Sequence, residues 1–185
     1  MVVVMGIDLA GSPKRRTGYA ILRESYVLET GIVYTDKEII DLVKKYMPRV
    51  IAIDSPLSMP IKGYRKVDIM MKRRGYRVLP PTWPSMKMLV YRAMKLVKEI
   101  RSIDREAIVI ETHPLSAFKS SNCSSLYELL TKASITDNID ADTLSNDERD
   151  GLIAALVAYY YSLGKHVSIK AVDGEIYLLP PICRT

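Results

Sequence analysis

A chain of 185 residues has room for one hydrophobic core, and its 48% hydrophobic and 26% charged content is that of a globular protein. This argues against a disordered chain, a collagen-like one or a small disulfide scaffold. No apolar run approaches the roughly 20 residues that cross a bilayer, so no membrane association is expected, and the Met1–Met5 run lacks the length and basic flank of a signal peptide. Cys123 and Cys183 stand far apart without the CxxC spacing of a zinc site. A reduced, cytoplasmic setting is the expectation.

The net charge of +6 is weak evidence for a polyanionic partner; its distribution says more. Thirteen basic residues lie between Lys62 and Arg105 against three acids, so this stretch carries +10 and the remainder −4. Glutamine is absent and asparagine occurs three times, a composition that suggests a thermophilic source, although nine methionines point the other way.

Val2 to Asp8 is an apolar, β-branched run ending on an acid, which predicts a buried strand. Gly11-Ser12-Pro13 and Lys14-Arg15-Arg16 form a basic turn. Thr17–Arg23 and Tyr26–Tyr34 follow as a hairpin across Glu24-Ser25. Apolar positions at Ile39, Ile40, Leu42, Val43 and Tyr46 predict a helix over Asp36–Tyr46, stopped by Pro48. Val50–Ile53 is a short buried strand before Asp54. Residues 55–84, with prolines at 56, 60, 80, 81 and 84, read as an irregular basic insertion with a helical turn or two at Asp68–Arg74. Pro84 suits the first turn of a helix to about Ile103, burying Met86, Leu89, Val90, Ala93, Val97 and Ile100. Ala107–Ile110 is a strand before Glu111, and 122–142 is polar, part loop and part short helix. Asp147–Leu163 is a helix with Gly164 as its stop, and Val167–Val172 with Glu175–Leu179 makes a closing hairpin across Asp173-Gly174. The order predicts one α/β domain over 1–185, with three antiparallel strands, then parallel strands, in a mixed sheet with helices on both faces.

Three strands therefore end in an acid, Asp8, Asp54 and Glu111, and groups beyond the carboxyl ends of parallel strands converge on one crevice. An acidic stretch from Asp137 to Asp150 leads into the late helix, where Asp147 and Asp150, three apart, share a face. Clustered carboxylates repel and rise in pKa unless a cation neutralises them. A hard divalent ion does so, and two such ions serve phosphodiester cleavage. Singly, each acid is also explained as a helix cap or a dipole partner.

Gly6-Ile7-Asp8-Leu9-Ala10-Gly11 with Thr17-Gly18-Tyr19-Ala20 resembles the first hairpin of ribonuclease H-like folds, including RuvC-type junction resolvases. More closely, the chain is similar to the domain of unknown function 429 family, described as predicted ribonuclease H-like nucleases. The matching segments are Ala52-Ile53-Asp54-Ser55-Pro56-Leu57, Arg65-Lys66-Val67-Asp68, Arg74 to Pro80, Glu111-Thr112-His113-Pro114, Asp147 to Ala155 and Asp173 to Pro180. The resemblance implies a ribonuclease H-like fold and a nuclease using Mg2+ or Mn2+ on Asp8, Asp54, Asp147 and Asp150, with Glu111 as a further candidate. Two positions depart from the RuvC pattern: Asp54 stands where glutamate is usual, and Gly151 follows the final aspartate in place of alanine.

His113 is read as a proton shuttle or phosphate contact, or equally as a residue that fixes the strand-to-helix turn. His166 reads as a surface residue and Cys123 as inert. Lys14, Arg15, Arg16, Arg65, Lys66, Arg73, Arg74 and Arg77 are candidates to grip DNA or RNA, with Tyr64, Tyr76, Trp83 and Tyr91 interleaved to stack bases; the alternative is a solvated face and a core tryptophan. The competing functions are a non-catalytic nucleic-acid-binding module with an inherited carboxylate site and, ranked last, a nucleotide phosphotransferase. The latter lacks a second glycine-rich loop and sufficient length unless two copies form a homodimer.

Overall fold

The computed structural model describes residues 1–135 and 139–183. Asp137, at the head of the acidic stretch, lies outside them. The strands are β1 (Val3–Asp8), β2 (Thr17–Arg23), β3 (Tyr26–Val33), β4 (Val50–Asp54), β5 (Ile108–Thr112), β6 (Val167–Ala171) and β7 (Gly174–Leu178), and the helices α1 (Asp36–Tyr46), α2 (Lys66–Arg73), α3 (Pro84–Ile103), α4 (Pro114–Ser120), α5 (Leu126–Lys132) and α6 (Asn146–Ser162). All seven strands join one sheet in the order β3-β2-β1-β4-β5-β7-β6. β1 to β3 are antiparallel neighbours, β4 and β5 run parallel to β1, and the closing hairpin extends the sheet because β7 pairs parallel to β5. The mixed sheet with helices on both faces is thus as the sequence predicts.

Strand alternation sorts the core into two layers. Met5, Ile7, Ile51 and Ile53 pack with residues of α1 and α3, such as Ile39, Leu96 and Ile100. Val4, Ala20, Ala52 and Ile110 pack with α6. Of the α3 face expected to be buried, Met86 and Leu89 are half-buried, while Leu96 and Arg92 are buried. Arg92 serves the fold: its guanidinium donates to Asp36 Oδ1 (2.7 Å) and to the carbonyls of Ala10 (2.6 Å) and Tyr34 (2.7 Å). It therefore leaves the solvated basic belt.

Helix α6 is buried on every side from Gly151 to Ala158, as a central helix that is apolar all round must be. It starts with a capping box, in which Ser145 Oγ accepts from Glu148 N and the Glu148 carboxylate accepts from Ser145 N (3.0 Å). It then lies directly on the backbone of β1 and β2. A Cβ on Gly18 would stand 1.8 Å from Asp147 O, one on Gly6 2.0 Å from Ala155 N, and one on Gly151 2.8 Å from Tyr19 N. These glycines let helix and sheet approach closer than any side chain permits.

The expectation of two reduced, independent cysteines is overturned. Cys123 and Cys183 form a disulfide with Cα atoms 4.9 Å apart, across 60 residues of chain. The C-terminal segment returns to the end of α4, where Ile182 N and Cys183 N both donate to Ser121 O (2.9 Å each). Long-range return of this kind leaves no spacing signal in a sequence. No helix among the described residues is long and apolar enough to cross a membrane.

Two outcomes follow from this packing. Gly18→Ala should lower unfolding stability by about 3 kcal/mol or more, because backbone must move to admit the methyl group; urea unfolding measures it. Reducing the disulfide, or replacing both cysteines with serine, should cost about 2–4 kcal/mol through the long loop it closes, read as a lower Tm.

Candidate active site

The ends of β1 and β4 lie side by side, since Gly6 aligns with Ala52 and Ile7 with Ile53. Asp8 and Asp54 follow at the same level, Asp8 paired on its other side with Gly18. Because Gly18 carries no side chain, the first turns of α6 settle over this corner, and Asp147 and Asp150 arrive beside Asp8. Asp8, Asp54, Asp147 and Asp150 are all half-buried. Burial, then the charges of Asp150 and Asp147, push the Asp8 carboxyl up to about 7. Burial, followed by Asp8, Asp150 and Glu111, holds Asp54 well above the usual carboxylate range. Asp150 is raised by burial and by Asp147, against the pull of Arg149. Acids from two strands and one helix thus oppose one another's ionisation at one end of the sheet.

The predicted site residues do not all join this group. β5 extends two residues beyond the predicted strand, and its register pairs Ile53 with Glu111 and Asp54 with Thr112. Alternation sends Glu111 to the face opposite Asp8 and Asp54. There it is buried, accepting from Leu57 N (2.9 Å) and from Arg65 Nη1 (2.7 Å). Arg65 is only 1% exposed. Its Nε donates to Asp68 (3.1 Å to Oδ2), its Nη1 to Ser58 Oγ (3.2 Å) and Glu111, and its Nη2 to Asp68 Oδ1 (2.7 Å) and Glu111 Oε1. All five N–H groups of the guanidinium are engaged. Arg65 is therefore a buried clamp that fastens the insertion to β5, which corrects its place among the nucleic-acid contacts. A buried charge group of this kind is held by its completeness: removing one partner strands the others, at about 3–5 kcal/mol.

Asp68 was not singled out by sequence reasoning, although its place three residues after Arg65, with its carboxylate accepting from Arg65 N (2.9 Å), is a helix-start pattern. His113 caps the start of α4, and its Nδ1 lies 2.7 Å from the buried Ser116 Oγ. This geometry carries the turn-fixing role, and burial lowers the His113 pKa. His166 is half-buried rather than superficial. Its ring stacks on Tyr161 at 5.0 Å, and its Nδ1 is buried without a hydrogen-bond partner.

Basic groups rim the carboxylate corner. Arg16 Nε pairs with Asp147 Oδ2 at 3.0 Å, and Lys14, Arg15 and Arg16 line a cleft with Asp8 and Asp147. Lys66, Arg73, Arg74 and Arg77 are exposed on the insertion. Trp83 and Tyr91 are 51% and 58% exposed, so the tryptophan is not a core residue. Tyr64 and Tyr76 are half-buried beneath Lys72 and Lys119, respectively, with ammonium groups 4.2 and 5.9 Å from the ring centres.

The donor set is all carboxylate oxygen, which suits a hard divalent cation. Among the described residues, no group of three or more His, Cys, Asp or Glu side chains is drawn together to the spacing of metal ligands. No family model matches the chain, and no curated protein sequence matches it. Solved structures do, RuvC among them. RuvC of Thermus thermophilus in complex with a Holliday junction substrate superimposes with a TM-score of 0.57 at 15% identity, over 89% of this chain and 97% of that one. A second Thermus thermophilus RuvC structure gives 0.56 at 15% identity, over 88% and 97%. This chain shares the RuvC fold. Within that ribonuclease H-like architecture, the strand order β3-β2-β1-β4-β5 with α6 laid across it frames the carboxylate corner, and the clamped insertion and closing hairpin flank it.

Carboxylates that oppose one another's ionisation destabilise the cation-free protein. Asp8→Asn should therefore raise its unfolding stability in EDTA, by an amount of the order of 1–3 kcal/mol. The same change should diminish the rise in Tm that Mg2+ or Mn2+ produces with the unaltered chain. Thermal scans with and without cation measure both effects.

Proposed function

We propose that this protein is a metal-dependent nuclease that hydrolyses phosphodiester bonds of DNA or RNA, a cytoplasmic ribonuclease H-like enzyme of the domain of unknown function 429 type. The observation that carries the reading is the corner where burial and neighbouring carboxylates hold Asp8, Asp54 and Asp150, from β1, β4 and α6, above the usual carboxylate range on a RuvC fold. Mg2+ or Mn2+ would be held by Asp8, Asp54 and Asp150, with Asp147 able to join on release from Arg16. When bound, such ions activate water and offset charge on the leaving oxygen.

The remaining roles belong to the chain. Lys14 and Arg15, exposed beside Asp8, hold the phosphate at the corner, and Lys66, Arg73, Arg74 and Arg77 track the flanking backbone. The Arg65–Glu111 clamp keeps those cations in fixed relation to Asp54, and His113 orders the start of α4. Glu111 and His113 act here by positioning.

The engagement of Asp147 by Arg16 favours a second reading, a nucleic-acid-binding module that does not cleave. One experiment separates the two. Purified protein is incubated with single-stranded, duplex and branched DNA and with RNA, in Mg2+ or Mn2+, beside Asp150→Asn. The nuclease reading expects cleavage of at least one substrate, reduced by on the order of 100-fold or more in the variant, with salt-sensitive binding retained. Binding without cleavage by the unaltered chain on every substrate would leave the binding module as the function.

A further inference from the structure

A cavity of about 150 Å³ opens beside Asp54, which lines it, whereas Asp8, Asp147 and Asp150 do not. Its walls are apolar: Val78 and Leu79 from the insertion, Met86 and Leu89 from the first two turns of α3. Leu79 is 53% exposed, while Val78, Met86 and Leu89 are half-buried, so the wall begins at the surface and runs inward. The polar end is formed by Asp54, His113 and the Arg65–Asp68–Glu111 clamp.

The chemistry of that polar end selects the occupant. Every N–H of Arg65 is already donated to Asp68, Glu111 or Ser58, so the guanidinium has nothing to offer an anion. Asp68 and Glu111 enclose this single cation and Asp54 adds a third carboxyl group to the cavity lining, an excess of acid that repels phosphate and attracts hydrogen-bond donors. A space of this volume with apolar walls, open at the surface, accepts one flat ring system. The occupant is therefore a neutral ring with donors on its edge, delivered next to Asp54. We propose that the cavity takes one unpaired nucleobase bearing an exocyclic amino group, so that the substrate is single-stranded or locally unpaired nucleic acid.

This rests on the nuclease reading, which brings a strand to Asp54. Arg77, exposed and immediately before Val78, and Lys66, exposed and immediately after Arg65, flank the cavity's wall and floor in the chain. They suit the phosphates on either side of an inserted base. Trp83, exposed at the cap of α3, offers a stacking surface to a neighbouring base. A fully paired duplex cannot supply a free base without the cost of unstacking it.

The test is equilibrium binding of the full chain in EDTA, by fluorescence anisotropy, to a labelled 12-residue abasic strand carrying one central dC, dA, dG or dT, or no base. Strands with dC, dA or dG should bind roughly 5- to 100-fold more tightly than the strand with no base, and more tightly than the strand with dT. Leu89→Phe, which fills the cavity, should abolish this difference while leaving affinity for the fully abasic strand unchanged. If that variant does not fold, Met86→Phe at the half-buried wall makes the same test. Equal affinity for all five strands overturns the cavity assignment, and dT bound as well as the amino-bearing bases overturns its edge chemistry. Cleavage of ordinary single-stranded DNA in Mg2+, run in parallel, keeps the outcomes apart: cleavage without base discrimination sinks only the cavity, whereas discrimination without cleavage sinks the nuclease reading.

Discussion

The approach of α6 to the sheet is the contact on which the rest of the molecule depends. Gly6 and Gly18 on the strands and Gly151 on the helix leave backbone against backbone, at separations where a methyl group would overlap. The small residues Ala20 and Ala52 flank Gly6 in the neighbouring strands, and Ala154 and Ala155 face them from the helix side of the same core layer. A larger side chain anywhere in this trough would lift α6. The lift would carry Asp147 and Asp150 away from Asp8, because the helix begins only a few residues earlier, at the Ser145 capping box. Packing density and site geometry are thus one constraint. It also accounts for Gly151 where the RuvC pattern has alanine, since here the helix sits too low for a Cβ.

Much of the fold was legible in the sequence because its signals are local. β-branched runs ending on Asp8 and Asp54, the Pro84 start of α3 and the apolar run of α6 are each explained within about ten residues. What escaped was set by register and by long-range return. The predicted end of the third parallel strand fell two residues short of Thr112. That shortfall left Glu111 as the strand-end acid, whereas the register sets Thr112, not Glu111, beside Asp54; since side chains alternate, this one-residue offset puts Glu111 on the other face of the sheet. Composition shows Arg65 as one more cation in a basic stretch, and only the structure encloses it between Asp68 and Glu111. The Cys123–Cys183 disulfide has the same origin, as a sequence separation of 60 leaves no pattern to read. His113 stood open between two roles, and the hydrogen bond between its Nδ1 and Ser116 Oγ supports the structural one.

The charge split takes a sharper form in three dimensions. Of the thirteen cations between Lys62 and Arg105, Arg65 and Arg92 are consumed by the fold. Those that remain exposed on the insertion stand on a segment fastened to the strand next to Asp54 by the Arg65 clamp and to the closing hairpin by Asp173, which accepts from Lys66 N and Val67 N. An exposed surface cation alone contributes little to either stability or specificity. Fixed at a set distance from opposing carboxylates, the same cations define a path: phosphate is attracted along the insertion and repelled at the acidic corner unless that corner has been neutralised. A divalent cation would change the sign of the last step, so binding of cation and binding of nucleic acid should be coupled.

The clamp joins that coupling to the cavity. Arg65, Asp68 and Glu111 form both the anchor of the insertion and the floor beneath Val78 and Leu79. Anything that displaced Arg65 would loosen the cationic path and open the apolar wall together. Because Asp54 borders the cavity on one side and feels the charges of Asp8 and Asp150 on the other, a ring seated there would also remove water from Asp54. Less water raises the electrostatic cost of an unneutralised Asp54, and so strengthens its demand for a cation. Base insertion and cation binding would in this way be coupled through a single carboxylate, with the buried clamp holding the geometry in which each could be felt by the other.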